Sequence, residues 1–224
     1  VGTSGGSVGF SIRENNYLGK AIKLNSTLAI DAESVKGGIQ VTIPNYNYSD
    51  NSLIASAQSS TEDYLTDYGY KSGKTGFSLG TNFEQYEDFY FSPAFSAYHE
   101  SLETNSGASK NLKKQEGSYT DLFFDYSLTY DKRDVGFQPT EGYRSSFNQK
   151  LPIYSQNYSI TNGYTFSSYH TLAEEMVGLF SVYTKMVTSL SDEDVRISKR
   201  LYMPSKKLRG FESGKVGPKD GTDY

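Results

Sequence analysis

The sequence predicts an all-β fold, part of an antiparallel up-and-down transmembrane β-barrel. Three observations carry that reading. Apolar and polar residues alternate with period two through about ten segments, which puts each kind on its own face of a strand. Only 36% of residues are hydrophobic, yet 15% are aromatic, with 20 Tyr, 13 Phe and no Trp, a wealth of rings that disordered chains lack. The connections alternate between a compact set and a set with longer members, as periplasmic turns and extracellular loops do in such barrels. No stretch approaches the roughly 18 consecutive apolar residues of a membrane helix, whereas a barrel strand needs only about 9 to 11, apolar on one side. The length of 224 residues fits one or two soluble domains or one barrel sheet, and does not choose between them.

The first expected strand is 8–13, and the second, 22–30, sets Ile22, Leu24, Leu28 and Ile30 against Lys23, Asn25 and Thr27. Strands at 37–43, 52–60 and 74–83 follow. The sixth, 89–99, contains Pro93, which donates no ladder hydrogen bond, so a bulge or local break in pairing is expected there. The seventh has the cleanest alternation, with Leu122, Phe124, Tyr126, Leu128 and Tyr130 interleaved with Asp125, Ser127 and Thr129. The eighth is 143–151. In the ninth, Tyr158, Ile160, Tyr164 and Phe166 oppose Ser159, Thr161, Thr165 and Ser167; the tenth is 177–190. No segment reads as a helix. Compact turns fall at 14–20, 44–51, 84–88, 131–142 and 171–176, and the second set at 31–36, 61–73, 101–118, 152–157 and from 191 onward. A soluble β-sandwich would alternate too, but its core face would be dominated by Leu, Val and Ile. Here Tyr and Phe are frequent near strand ends, where membrane barrels carry aromatic girdles.

The charge of -4, from 22 basic and 26 acidic residues, gives no global attraction for nucleic acid, so no nucleic-acid partner is expected. With no Cys there is no disulfide, thiolate metal site or Cys nucleophile. His99 and His170 are the available imidazole bases and lie near strand ends without a Ser and orienter in view, so no enzyme is expected and no catalytic residue is assigned. Glu174-Glu175 and Asp192-Glu193-Asp194 read as solvated turn and loop charges, Lys110 to Lys114 as a solvent-facing basic run, and no metal site is assigned. The opening Val1-Gly2-Thr3 has neither a starting Met nor a signal segment, which reads as a processed product or, preferably, a fragment.

Two motifs stand out. Tyr130-Asp131-Lys132-Arg133-Asp134, then Phe137 and Pro139-Thr140-Glu141-Gly142-Tyr143, form a turn dense in charge, Pro and Gly. Pro139 and Gly142 set the turn, and Arg133 can pair with Asp131 or Asp134. Leu208-Arg209-Gly210-Phe211 joins a planar five-donor cation to a residue free of backbone restriction and a bulky apolar face. Val216-Gly217-Pro218-Lys219 follows it.

In this order, and with Asn15-Asn16-Tyr17-Leu18-Gly19 and Ile43-Pro44-Asn45-Tyr46, these motifs resemble the barrel domain of the BamA family, over nearly the whole chain. The family belongs to a wider superfamily of outer-membrane assembly and two-partner-secretion barrels. The resemblance implies the central barrel subunit of the machinery that folds and inserts β-barrel proteins into the Gram-negative outer membrane. Related barrels that secrete a partner protein or assemble autotransporters share the Arg-Gly-Phe loop; a diffusion porin would lack it.

On this resemblance residues 1–224 are a partial transmembrane barrel, about ten of about sixteen strands, an even number within the range of such barrels. Residues 191–224 lead into and begin the sixth extracellular loop, while the POTRA domains and the terminal strands lie outside the sequence. Leu208, Arg209, Gly210 and Phe211 are then a loop lock folded into the lumen, with Arg209 meeting an acidic site beyond Tyr224. Leu208 departs from the usual Val. The seam of first and last strands would act as a lateral gate. The implied partners are unfolded outer-membrane β-barrel proteins, accessory lipoproteins held through the POTRA domains, and the lipid bilayer; no cofactor is implied.

Overall fold

The computed structural model describes residues 6–66 and 68–201. Ten strands occupy them: β1 (Val8–Tyr17), β2 (Ile22–Ile30), β3 (Ser34–Ile43), β4 (Ser52–Tyr64), β5 (Tyr70–Tyr86), β6 (Phe89–Thr104), β7 (Gly117–Asp131), β8 (Gly142–Tyr154), β9 (Ser159–Ala173) and β10 (Met176–Ser189). They form one antiparallel sheet in which every strand neighbours its successor. Each strand expected from period two is present. At Pro93 the β5–β6 ladder lapses between the pairs Gly80↔Ala94 and Phe83↔Phe91, while β7 stays paired through Pro93↔Tyr126.

Register gives the sheet two chemically opposite faces. Leu79↔Phe95 and Phe95↔Phe124 lie on one face; Lys74↔Glu100, Asp125↔Lys150 and Lys36↔Ser60 lie on the other. A soluble sheet buries its apolar face. Here Phe77, Leu79, Phe95 and Phe180 are more than half exposed, while Ser96, Glu100 and Asp121 on the polar face are almost fully buried. A hydrocarbon environment rewards that inversion, because Phe and Leu leave water at about 25 cal/mol per Å² only if lipid covers them. On the apolar face a chain of rings runs across strands through Phe83, Phe91, Tyr126 and Phe147, at centroid separations of 5.6, 6.3 and 6.2 Å, near the compact-turn rim. Such a belt is an aromatic girdle.

The two rims differ as the connection lengths imply. Every non-glycine residue with positive φ among those described, from Leu18 and Ala21 through Asp88 and Gln138 to Glu175, lies at a compact turn, where a tight reversal calls for left-handed backbone. On the other rim β4 to β7 run further than hydrophobic alternation indicates. The 61–73 connection shrinks to 65–69, and 101–118 shrinks to 105–116 with one helical turn, α1 (Lys110–Lys113). That turn is a departure from the helix-free reading, and Ser109 caps it by accepting the Leu112 N–H at 3.2 Å. Alternation fades in these extensions because their side chains meet a protein cluster instead of lipid. Tyr70, Leu102, Ala108, Leu112 and Ile197 bury one another there, flanked by Tyr64, Tyr68 and Tyr119.

Candidate functional site

The charged turn between β7 and β8 is assembled from the residues the sequence singles out. Arg133 chooses Asp131: Nε and Nη2 donate to Oδ1 and Oδ2, each at 2.7 Å, and Nη1 reaches the Gly136 carbonyl at 3.3 Å. Asp134 does different work, accepting the Thr140 hydroxyl at 2.6 Å and the Thr140 N–H at 3.1 Å. Those bonds, the hydroxyl first, hold its carboxyl down to about 2. Gly142 has φ 92, and a Cβ there would overlap the Lys132 carbonyl oxygen. Pro139, its φ fixed by the ring, follows Gln138 at φ 51, and the Tyr143 ring lies 5.8 Å from Tyr130. The turn also ties its neighbours: Lys132 pairs with Asp88 at 2.5 Å, and the Thr171 hydroxyl donates to the Thr140 carbonyl at 3.4 Å. Three adjacent hairpins are thereby joined at one rim.

A second constellation lies on the polar face near the opposite rim, and no sequence motif announces it. After β10 the chain turns back over the sheet and inserts Arg196, which is 1% exposed. Its Nη1 donates to Glu100 Oε2 at 2.6 Å and to Asp121 Oδ2 at 3.3 Å, and the guanidinium lies 3.6 Å from the Tyr119 ring centroid. Glu100 stands on β6 and Asp121 on β7, diagonal neighbours on one face through the pairs Tyr98↔Asp121 and Glu100↔Tyr119. Lys199 adds a second cation 3.0 Å from Asp121. Ser72 donates to Glu100 at 3.1 Å and Ser155 to Asp121 at 2.6 Å, completing a network of two cations and two carboxylates. Burial first, then the charge of Arg196, lowers the Lys199 ammonium below its ordinary range, and Asp121 opposes that shift.

The flanks of the segment are fastened too. The Ile197 N–H donates to Gln115 Oε1 at 2.8 Å, and Asn157 Nδ2 donates to the Asp194 carbonyl at 3.0 Å and to Glu193 Oε2 at 3.2 Å. Glu193 is thus tied into the structure, where the sequence reads only solvated charge. The inward parity of Glu100 and Asp121 could have flagged the carboxylates once β6 and β7 were extended. Arg196 has no periodic neighbours and left no such signal. Leu208, Arg209, Gly210 and Phe211 lie outside the described residues. His99 sits on the apolar face with Nδ1 3.3 Å from the Thr120 hydroxyl.

An up-and-down sheet with an apolar exterior, a charged interior and a following loop folded inward is a barrel wall with part of its lumen filling. Residues 16–224 match the Omp85 superfamily domain. The chain belongs to the Omp85 superfamily. Among solved structures, the crystal structure of BamA from Haemophilus ducreyi lacking POTRA domains 1-3 matches with a TM-score of 0.81 at 21% identity, over 96% of this chain and 45% of that one. No protein among those of curated function matches. The ten strands are therefore part of an Omp85 transmembrane barrel, spanning less than half the length of that BamA structure. In this Omp85 barrel the apolar face meets lipid and the Arg196 network faces the lumen.

Proposed function

We propose that this Omp85 chain is part of the central barrel subunit of a machine that folds and inserts β-barrel proteins into the bacterial outer membrane. The observation that carries the reading is the inward fold of the segment after β10, held on the lumen wall by Arg196, Glu100 and Asp121. A diffusion porin would lack the Arg209-Gly210-Phe211 motif that follows this segment, whereas an assembly barrel needs a braced wall beside a seam that opens. The likeness of fold to BamA supports the same reading.

Unfolded outer-membrane β-barrel proteins are the substrates in this proposal, recruited by strand addition at the seam, where unpaired backbone groups supply affinity. Leu208, Arg209, Gly210 and Phe211 form the loop lock, with Arg209 pairing to a carboxylate beyond Tyr224. Accessory lipoproteins bind through POTRA domains, and the bilayer is the receiving phase. The work is non-covalent and draws on no cofactor. The test is the full-length protein in liposomes offered an unfolded outer-membrane protein. Faster folding than in empty liposomes is expected. Equal rates would overturn the proposal, and transfer of a single soluble partner across the membrane would point instead to a secretion barrel of the same superfamily.

A further inference from the structure

The Arg196 network contains more than a loop needs merely to rest on a wall. Glu100 and Asp121, on adjacent strands, both point into the lumen and are both almost fully buried, so the wall alone presents two close carboxylates that repel. Arg196 and Lys199, both from the segment after β10, neutralise that socket. Arg196 is the deeper of the two and bridges both carboxylates, with its guanidinium against the Tyr119 ring.

We propose that Arg196 is a positioning residue: it straps residues 193–200 to the lumen wall by charge, and so sets where the loop leading to Arg209 starts. The functional half of this inference rests on the assembly reading above; the docking half does not. Arg209 follows Arg196 by thirteen residues, a span of at most about 45 Å when fully extended, whereas a chain free from the end of β10 at Ser189 would swing through about 70 Å. A strap at Arg196 removes much of that search before any lock at Arg209 closes.

The reporter is Ser198→Cys. The Ser198 hydroxyl is buried and has no hydrogen-bond partner among the described residues, and the 224 residues include no Cys. In the full-length protein in liposomes, with any other cysteine replaced, labelling by a bulky maleimide reads docking, and heat-modifiable gel migration reads barrel folding. The parent is expected to be protected. Arg196→Met, which strands two buried carboxylates against one lysine, is expected to label at least about tenfold faster. Arg196→Lys keeps the charge, loses the fork, and falls between them. Arg196→Met with Glu100→Gln leaves Lys199 balanced by Asp121 and restores protection. Parental labelling of a folded Arg196→Met barrel overturns the strap, as does a double variant that labels as fast as the single. Should Arg196→Met not fold, Glu100→Gln alone leaves an excess buried cation and must raise labelling; unchanged protection there overturns the strap equally.

Substrate folding is measured in the same liposomes. Slower folding with Arg196→Met, recovered in the double variant, supports the positioning role, and parental rates with an undocked strap overturn it. If the parent itself folds no substrate, the assembly reading fails while the docking result stands.

Discussion

Arg133 grips Asp131 through two parallel bonds of 2.7 Å, a planar fork closed across only two residues of chain. The same carboxylate also lies 3.7 Å from Arg144 on the next strand, so one acid holds both arms of the β7–β8 hairpin. Both partners of the fork are largely sheltered from solvent, which limits screening. Arg133→Ala is expected to cost about 1.5 to 3 kcal/mol, the range for hydrogen bonds to charged groups. Arg133→Lys should recover little, since an ammonium cannot present two donors in that plane. The temperature at which the heat-modifiable form is lost reads both variants; parental values for either would refute the role of the fork.

Gly142 is required for two independent reasons, its positive φ and the Lys132 carbonyl that a Cβ would strike. Gly142→Ala is therefore expected to destabilise by roughly 1 to 3 kcal/mol. Gly136 in the same turn has open space around its Cβ position, and Gly136→Ala should leave the melting of the folded form almost unchanged. Equal effects of the two substitutions would remove the steric argument.

Asp134 supplies a pH dependence of known sign. Its folded value of about 2 lies below the ordinary carboxyl value of 3.8, so the native turn binds the proton less tightly than the unfolded chain. Its stabilisation is fully present above about pH 4 and is lost as pH falls through about 2. The difference in thermal midpoint between the parent and Asp134→Asn is expected to stay level from pH 7 to 5 and to shrink between pH 4 and 2. A difference that widens on acidification would contradict the Thr140 contacts as its source.

The strands were legible because lipid favours apolar residues at the outward positions of each strand, and period two follows. Leu122, Phe124, Tyr126, Leu128 and Tyr130 obey it without exception. The strand extensions were hidden because Ser72, Glu100 and Asp121 turn into protein, where polar residues serve as well as apolar ones. Arg196 was illegible for a related reason: one buried cation in an irregular segment matters only through carboxylates 75 and 96 residues away. The turn yielded its residues but not its pairing, since Asp131 and Asp134 were equal candidates for Arg133 until the backbone placed Thr140 over Asp134.

Arg209 is the proposed lock, and its removal should affect assembly more than the wall. Arg209→Ala in the full-length protein is expected to lower the rate of substrate folding in liposomes, or the yield of correctly folded barrel, and to expose the loop to protease. Parental assembly rates together with unchanged protease protection would exclude that role. Because Arg196 lies upstream on the same segment, the Arg209→Ala variant should keep the Ser198→Cys reporter protected, separating lock from strap.

The two faces of the sheet offer the sharpest contrast. Phe77 on β5 points outward and is 62% exposed, while Gln58 on β4 points into the lumen opposite Gly76, one position along from Phe77. Both lie well inside their strands, so an arginine at either meets a similar depth of membrane. At position 77 the guanidinium faces hydrocarbon, which costs about 2 to 4 kcal/mol near the midplane and less toward the interfaces. At position 58 it faces a polar lumen that already carries Lys36, Glu62 and Lys74. Phe77→Arg is expected to cut the folded fraction recovered in liposomes, and Gln58→Arg to leave it close to the parent. Poorer recovery of Gln58→Arg than of Phe77→Arg would mean that the faces are assigned the wrong way round, and equal recovery that neither meets lipid. Either outcome would dismantle the barrel geometry on which the inward placement of Arg196 depends.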